Sequence, residues 1–183
     1  MDCFFIGRLQ GSQGSVWQYT AIDVASGYCW AELHSSERNP RSRHCQALLH
    51  RIAHELAAAG WKLKTVTTDN GSEFTSGDFG KVIAAAGARQ QRIKAGRPTS
   101  NGCVERVQLT LLEECWRPSF ARSLVPKLTA LRRDLDEYLH YYNTTAPTPA
   151  GTTKDASPQT SSTVPARWEQ RDDLSRLLRV SAG

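Results

Sequence analysis

The sequence has no apolar run near the roughly 18–20 residues a membrane span needs. Its first residues carry neither the basic nor the apolar segment of a secretory leader. Both absences point to the cytoplasm. A cysteine framework is also missing: Cys3, Cys29, Cys45, Cys103 and Cys115 are odd in number, contain no CxxC pair and stand 26, 16, 58 and 12 apart. That spacing supplies neither a zinc ligand set nor disulfides, so reduced, mostly buried thiols are expected. His50 and His54 are four apart in "HRIAH", but the glutamate of an HExxH helix is lacking, and the pair reads as an exposed helix face. Aromatics are few, 8%, and the five tryptophans read as packing rather than a base-stacking platform.

Acid is the scarcer charge. Lys and Arg number 23 against 18 Asp and Glu, a formal net charge of +5, which admits a nucleic-acid partner without requiring one. The excess is local: between Arg89 and Arg106 lie Arg92, Lys94 and Arg97, against one acid, Glu105. The 39% hydrophobic share and 183 residues suit one domain with a tail.

Residues 3–9, "VWQYTAIDVAS" and "YCWAELHS" read as three strands of an antiparallel meander, joined by the glycine turns "QGSQGS" and "SGY". The period then turns helical through Cys45, Leu48, Leu49, Ile52 and Leu56, with Gly60 as the stop. "WKLKTVTT" predicts a fourth strand, "SGDFGKVIAAAG" a helix capped by Ser76, and "ARQQRI" a fifth strand. After the loop "KAGRPTSNG" come two helices. One runs through Val104, Val107, Leu111 and Cys115, the other from Leu124 to Tyr142, with Pro118 and Pro126 at their junction and Pro126 in the second helix's first turn. This order gives an α/β fold with helices on a mixed sheet.

Three acids stand where chemistry is done. Asp69 closes the fourth strand ahead of the turn pair Asn70-Gly71, and ligands gather beyond the carboxyl ends of strands in such sheets; Asp-Asn-Gly alone is also an ordinary turn. Glu105 falls in a first helical turn capped by Ser100 or Asn101, where it offsets the helix dipole or, among cations, serves a metal beside phosphate. Asp2 is either a solvated terminal residue or a partner of these two.

Taken together, with 35 residues between Asp69 and Glu105, these acids resemble the integrase core of the DDE transposase and retroviral integrase superfamily, nearest to bacterial insertion-sequence transposases. The resemblance is carried in order by "DCFFIG", "AIDVASGYCWAEL", "TTDNGSEFTS" and "GRPTSNGCVER", from Asp2 to about Asn143. It implies a ribonuclease H-like mixed five-stranded sheet, its first three strands antiparallel, flanked by helices. It implies Asp2, Asp69 and Glu105 as catalytic and metal-binding residues, on the first strand, after the fourth and on the helix after the fifth. Asp23 in "AIDVAS" is a rival first acid, on a strand where the family needs none. Three carboxylates are hard oxygen ligands suited to Mg²⁺ or Mn²⁺ rather than zinc, in a two-metal site for in-line displacement at phosphorus. The implied partners are DNA, both transposon ends and target, and further copies of the chain. Lys94, Arg97, Asn101 and Arg106 are the candidate DNA contacts, with Gly102 keeping the helix start open to a phosphate; singly, each cation reads as solvated surface.

Two departures from the family bear on function. Its first strand begins several residues ahead of the first acid, after a helix-turn-helix region, so the core is expected to be incomplete at its start. After Asn143 the composition turns to Thr, Ser, Pro and Ala, a disordered tail over 144–183 beyond a core of 1–143. Regrouped by one base, codons for Thr145 to Ala150 permit Asp-Arg-Ala-His-Thr-Gly, and those for Lys154 to Thr160 permit Lys-Gly-Arg-Ile-Pro-Ala-Asp. Both are family-like, so the tail is expected to be a frameshifted reading, which the encoding DNA tests. The expected activity is metal-dependent DNA strand cleavage and transfer. The alternatives are a catalytically silent remnant binding DNA nonspecifically, and a ribonuclease H-like nuclease on other substrates.

Overall fold

Alternating β-branched and aromatic residues fold as the expected meander in the computed structural model, which describes residues 1–9, 12–93, 102–123 and 125–145. Strands β1 (Asp2–Arg8), β2 (Ser15–Ile22) and β3 (Cys29–Ser36) pair antiparallel, from Asp2↔Thr20 in the first pair to Ile22↔Cys29 in the second. The β2–β3 turn is built on Asp23, whose carboxylate accepts the Ser26 N–H at 3.0 Å and the Ser26 hydroxyl. Gly27 completes it at φ +72°, open to glycine at little cost. Asp23 is thus engaged in its own turn.

Helix α1 (Ser42–Ala58) buries Cys45, Leu48, Leu49 and Ile52, the stripe its spacing predicts, and exposes His50 and His54. It stops at Gly60, φ +76°, where Gly60 N–H bonds to Ala57 O at 2.9 Å and Trp61 N–H to Leu56 O at 2.8 Å, a Schellman closure. Strand β4 (Thr65–Thr68) is shorter than the expected 61–68, because its parallel partner β5 (Arg89–Arg92) offers only four residues. Between them lie a short unanticipated helix, α2 (Ser72–Thr75), and α3 (Gly77–Ala85), capped by Ser76 as expected.

Helix α4 (Gly102–Leu111) does not end before Pro118. It widens into a π-helical turn, Leu112–Trp116, and continues as α5 (Arg117–Arg122). The Arg117 N–H reaches back five residues to Leu112 O, and the wide turn gives the Pro118 ring the room a regular helix denies it. It also turns the consecutive Cys115 and Trp116 into the core together. Helix α6 (Leu128–Thr144) begins two residues later than Pro126, with Lys127 at its N-cap, which corrects the expectation that Pro126 lies in its first turn. Leu124 and the tail beyond Thr145 lie outside the described residues.

Two cores sandwich the strands. Leu48, Leu49, Ile52, Phe79 and Ile83 from α1 and α3 meet Tyr19, Trp30 and Val66 on one face. Val107, Leu111, Trp116, Leu131 and Leu135 from α4 to α6 meet Val16, Ala31 and Leu33 on the other. The α/β class is borne out, with one difference: the five strands form a three-stranded and a two-stranded ladder. β1 starts beside the last residues of β4, so the two overlap at one bond, from Met1 N to Thr67 O at 2.6 Å. No helix among the described residues is long and apolar enough to cross a membrane.

Candidate active site

The chain ends of three elements meet where β1 begins. Asp2 is the first residue of β1, Asp69 the first beyond β4, and Glu105 lies in the first turn of α4. Asp2 and Asp69 are half-buried; Glu105 is exposed.

Two carboxylates are oriented by backbone. The Cys3 N–H donates to Asp2 Oδ1 at 2.7 Å, and the Gly71 N–H donates to Asp69 Oδ1 at 3.0 Å. Next to Asp69, the Asn70 side chain donates to Ile93 O at 3.1 Å, tying the loop to the end of β5. Beneath it sits Glu73, 8% exposed, whose carboxylate occupies the space a Gly71 side chain would take: a Cβ there would stand 2.8 Å from it. Sequence reading had not singled out Glu73. The signal was an acid two residues after the Asn70-Gly71 turn, legible only once the short helix α2 is known.

The electrostatics join the three acids. Burial pushes the Asp2 carboxyl up to about 6. The carboxylates of Asp69 and Glu105 push it the same way, against the Cys3 N–H bond and the Met1 ammonium. Residues 67 and 103 positions apart from Asp2 therefore act on it through space. Mutually repelling carboxylates, two of them half-buried, are what a hard divalent cation relieves, so this set of oxygen donors fits Mg²⁺ or Mn²⁺. As they stand, no three His, Cys, Asp or Glu side chains among the described residues are gathered closely enough to hold a metal ion.

Arg106 is exposed on α4, but adjacent helical residues do not face one another, so it points away from Glu105. A side chain at Gly102 would meet open space, in keeping with an accessible helix start. Lys94, Arg97 and Asn101 lie outside the described residues. The cysteines are free: Cys29, Cys45 and Cys115 are buried, and Cys3 and Cys103 half-buried.

Comparison with known proteins points to one family. Two family models, each described as an integrase core domain, match residues 1–98 and 86–150. Together they take in all three acids. The chain is 29% identical over 109 residues to the retrovirus-related Pol polyprotein from transposon TNT 1-94 of Nicotiana tabacum. That match takes in 58% of the chain and 8% of the polyprotein, so the chain spans a small part of this relative. A chain in the simian T-cell lymphotropic virus intasome, solved in complex with PP2A regulatory subunit B56 gamma, superposes with a TM-score of 0.57 at 21% identity. It covers 88% of this chain and 59% of that one, a likeness of fold.

Proposed function

The chain belongs to the integrase core domain family, and from that premise we propose that it carries out metal-dependent cleavage and transfer of DNA strands through Asp2, Asp69 and Glu105. One observation carries the reading: acids far apart in sequence stand at the start of β1 (Asp2), just beyond β4 (Asp69) and in the first turn of α4 (Glu105). Asp2, Asp69 and Glu105 would hold Mg²⁺ or Mn²⁺. When bound, such ions supply Lewis acidity to the attacking and leaving oxygens of an in-line displacement at phosphorus. The Cys3 and Gly71 N–H groups fix one oxygen each of Asp2 and Asp69, leaving the other free to bind. Glu105, exposed at the open start of α4, would close the site from the solvent side, where a phosphodiester approaches. Lys94, Arg97, Asn101 and Arg106 are proposed to contact the DNA backbone. The substrates are transposon ends and target DNA, with further copies of the chain as partners, as the intasome likeness suggests.

A second reading, a chain that binds DNA without cutting it, is favoured by the acids' open arrangement. One assay separates the two. Duplex DNA is incubated with the chain, Asp69→Asn and Glu105→Gln, in Mg²⁺ or Mn²⁺ and in chelator. Metal-dependent nicking or joining by the parent alone supports the enzyme. Equal behaviour of all three proteins, with binding retained, leaves the silent reading.

A further inference from the structure

A polar line runs through the face of the sheet that α4 covers. The indole N–H of Trp116 donates to Gln18 Oε1 at 2.6 Å, and Gln18 Nε2 donates to Thr20 Oγ1 at 2.7 Å. Gln18 and Thr20 are 0% exposed and Trp116 1%, so bulk water plays no part in these bonds. Polar side chains kept in a core carry a desolvation cost that apolar ones of similar size would not.

The direction of the line is fixed by its first member. An indole only donates, so the Gln18 amide turns its oxygen to Trp116 and its nitrogen to Thr20. That nitrogen only donates in turn. Thr20 Oγ1 therefore accepts, and its own hydrogen is left to point elsewhere. Among the described residues, the bond from Gln18 is the one the Thr20 side chain makes. Trp116 reaches the line because the π turn carries it into the core beside Cys115, and such turns gather at functional sites.

What stands next to Thr20 follows from register. Asp23 N–H bonds to Tyr28 O at 2.9 Å, so the amides of Ile22 and Thr20 turn away from β3. Thr20 thus forms a hydrogen-bonded pair with its β1 partner, Asp2. Opposed residues share a face, with Cβ atoms about 4.5–5.5 Å apart. That face is the one under α4, because Val16, on the same alternation as Gln18 and Thr20, packs with Val107 and Leu111. On the sheet, Thr20 is surrounded by Gln18, Ile22, Ala31 and Asp2. Asp2 alone among these side chains brings an acceptor atom not already bonded: the Cys3 N–H takes Oδ1 and leaves Oδ2.

We propose that Thr20 is a positioning residue for Asp2, donating its hydroxyl hydrogen to Asp2 Oδ2, with Gln18 and Trp116 holding it in that role. The proposal rests on the reading of Asp2 as a metal ligand. The structure shows the two groups apart, and rotation of the Asp2 side chain closes a gap that opposed residues can span. An oxygen that accepts Thr20 on one lone pair keeps the other for an ion. A carboxylate held at both oxygens meets the ion already oriented. Each donor in the line also polarises the next, which strengthens the last bond.

The test compares the parent with three variants. Thr20→Val keeps the shape and loses the hydroxyl, Thr20→Ser keeps the hydroxyl, and Asn143→Ala loosens the fold at the far end of β3. Free Mn²⁺ is followed by electron paramagnetic resonance in titrations without DNA. The Thr20 hydroxyl proton is sought by NMR in the metal-free parent. Thr20→Val is expected to weaken Mn²⁺ binding about tenfold or more, with Thr20→Ser and Asn143→Ala within about twofold of the parent. The hydroxyl proton is expected to exchange slowly and to show a nuclear Overhauser contact to the Asp2 β protons. Equal Mn²⁺ binding by the parent and Thr20→Val overturns the proposal. So does equal weakening of Thr20→Val and either other variant, which would mark altered packing rather than a lost bond. A parent that binds no Mn²⁺ sinks the metal reading separately, and the presence or absence of the hydroxyl contact then upholds or overturns the Thr20 bond.

Discussion

Asn143 holds Cys29 by both its backbone groups, accepting the Cys29 N–H at 2.8 Å and donating to its carbonyl at 2.9 Å. The pair fastens the last turn of α6 to the first residue of β3, 114 positions away. Both residues are buried, so truncation leaves two desolvated backbone groups unmatched, each costing about 1–3 kcal/mol. Asn143→Ala is expected to lower stability by about 2–4 kcal/mol, seen as a fall in urea midpoint with the slope unchanged. His140→Ala, on the exposed side of the same helix, is expected to change it by less than about 0.5 kcal/mol.

Gly71 meets a different constraint. An alanine Cβ would press against the buried Glu73 carboxylate, and relief moves either Glu73 or the loop whose Gly71 N–H orients Asp69. Gly71→Ala is expected to keep the circular dichroism of the parent while DNA cleavage falls about tenfold to a hundredfold, the cost of a small misplacement at a reacting centre. Gly77→Ala, where a Cβ meets nothing, is expected to keep full activity. Equal activity of the two variants would show that Asp69 needs no help from its loop.

The meander, α1 with its glycine stop and the Ser76 cap were legible in the sequence because each rests on local spacing. What escaped rests on distant partners. Pro118 reads as a stop, yet Cys115 and Trp116 both reach the core, where Trp116 donates to the buried Gln18 at 2.6 Å; a π turn satisfies both demands. The fourth strand was read too long because its length is set by β5. The turn role of Asp23 also rests on a partner, Ser26, that its motif does not name. The convergence of Asp2 with Asp69 and Glu105 followed from resemblance, since spacing along a chain carries no distance through space.

His44 makes stability depend on pH. Its ring stacks on His34, centroids 4.0 Å apart and 11° from parallel, with Tyr19 edge-on to both. Burial, then the neighbouring His34 and Arg43, brings its imidazolium pKa down to about 4 from an ordinary 6.5. A lowered folded value means that the unfolded chain takes up the proton first. His44 therefore costs nothing above pH 6.5 and erodes stability progressively from there to about pH 4. Asp2, raised to about 6 from 3.8, acts oppositely, its penalty easing as pH falls through that window. His44→Gln is accordingly expected to remove the acid-side loss, so that its urea midpoint holds or rises from pH 7 to 4.5 while the parent's declines relative to it. Parallel curves would mean that His44 protonates as easily folded as unfolded.

Asp2 also links stability to metal. In metal-free buffer at pH 7.5 its half-buried charge faces two carboxylates, so Asp2→Asn is expected to stabilise the fold by on the order of 1 kcal/mol. Saturating Mn²⁺ should then reverse the ranking. An ion bound only by the folded parent adds about 2.7 kcal/mol at a hundred times its dissociation constant, and a variant lacking one ligand gains far less. Thermal midpoints of the two proteins, with and without Mn²⁺, make the comparison without reference to DNA cleavage. An equal Mn²⁺ shift in both would place the ion elsewhere and remove Asp2 from the ligand set.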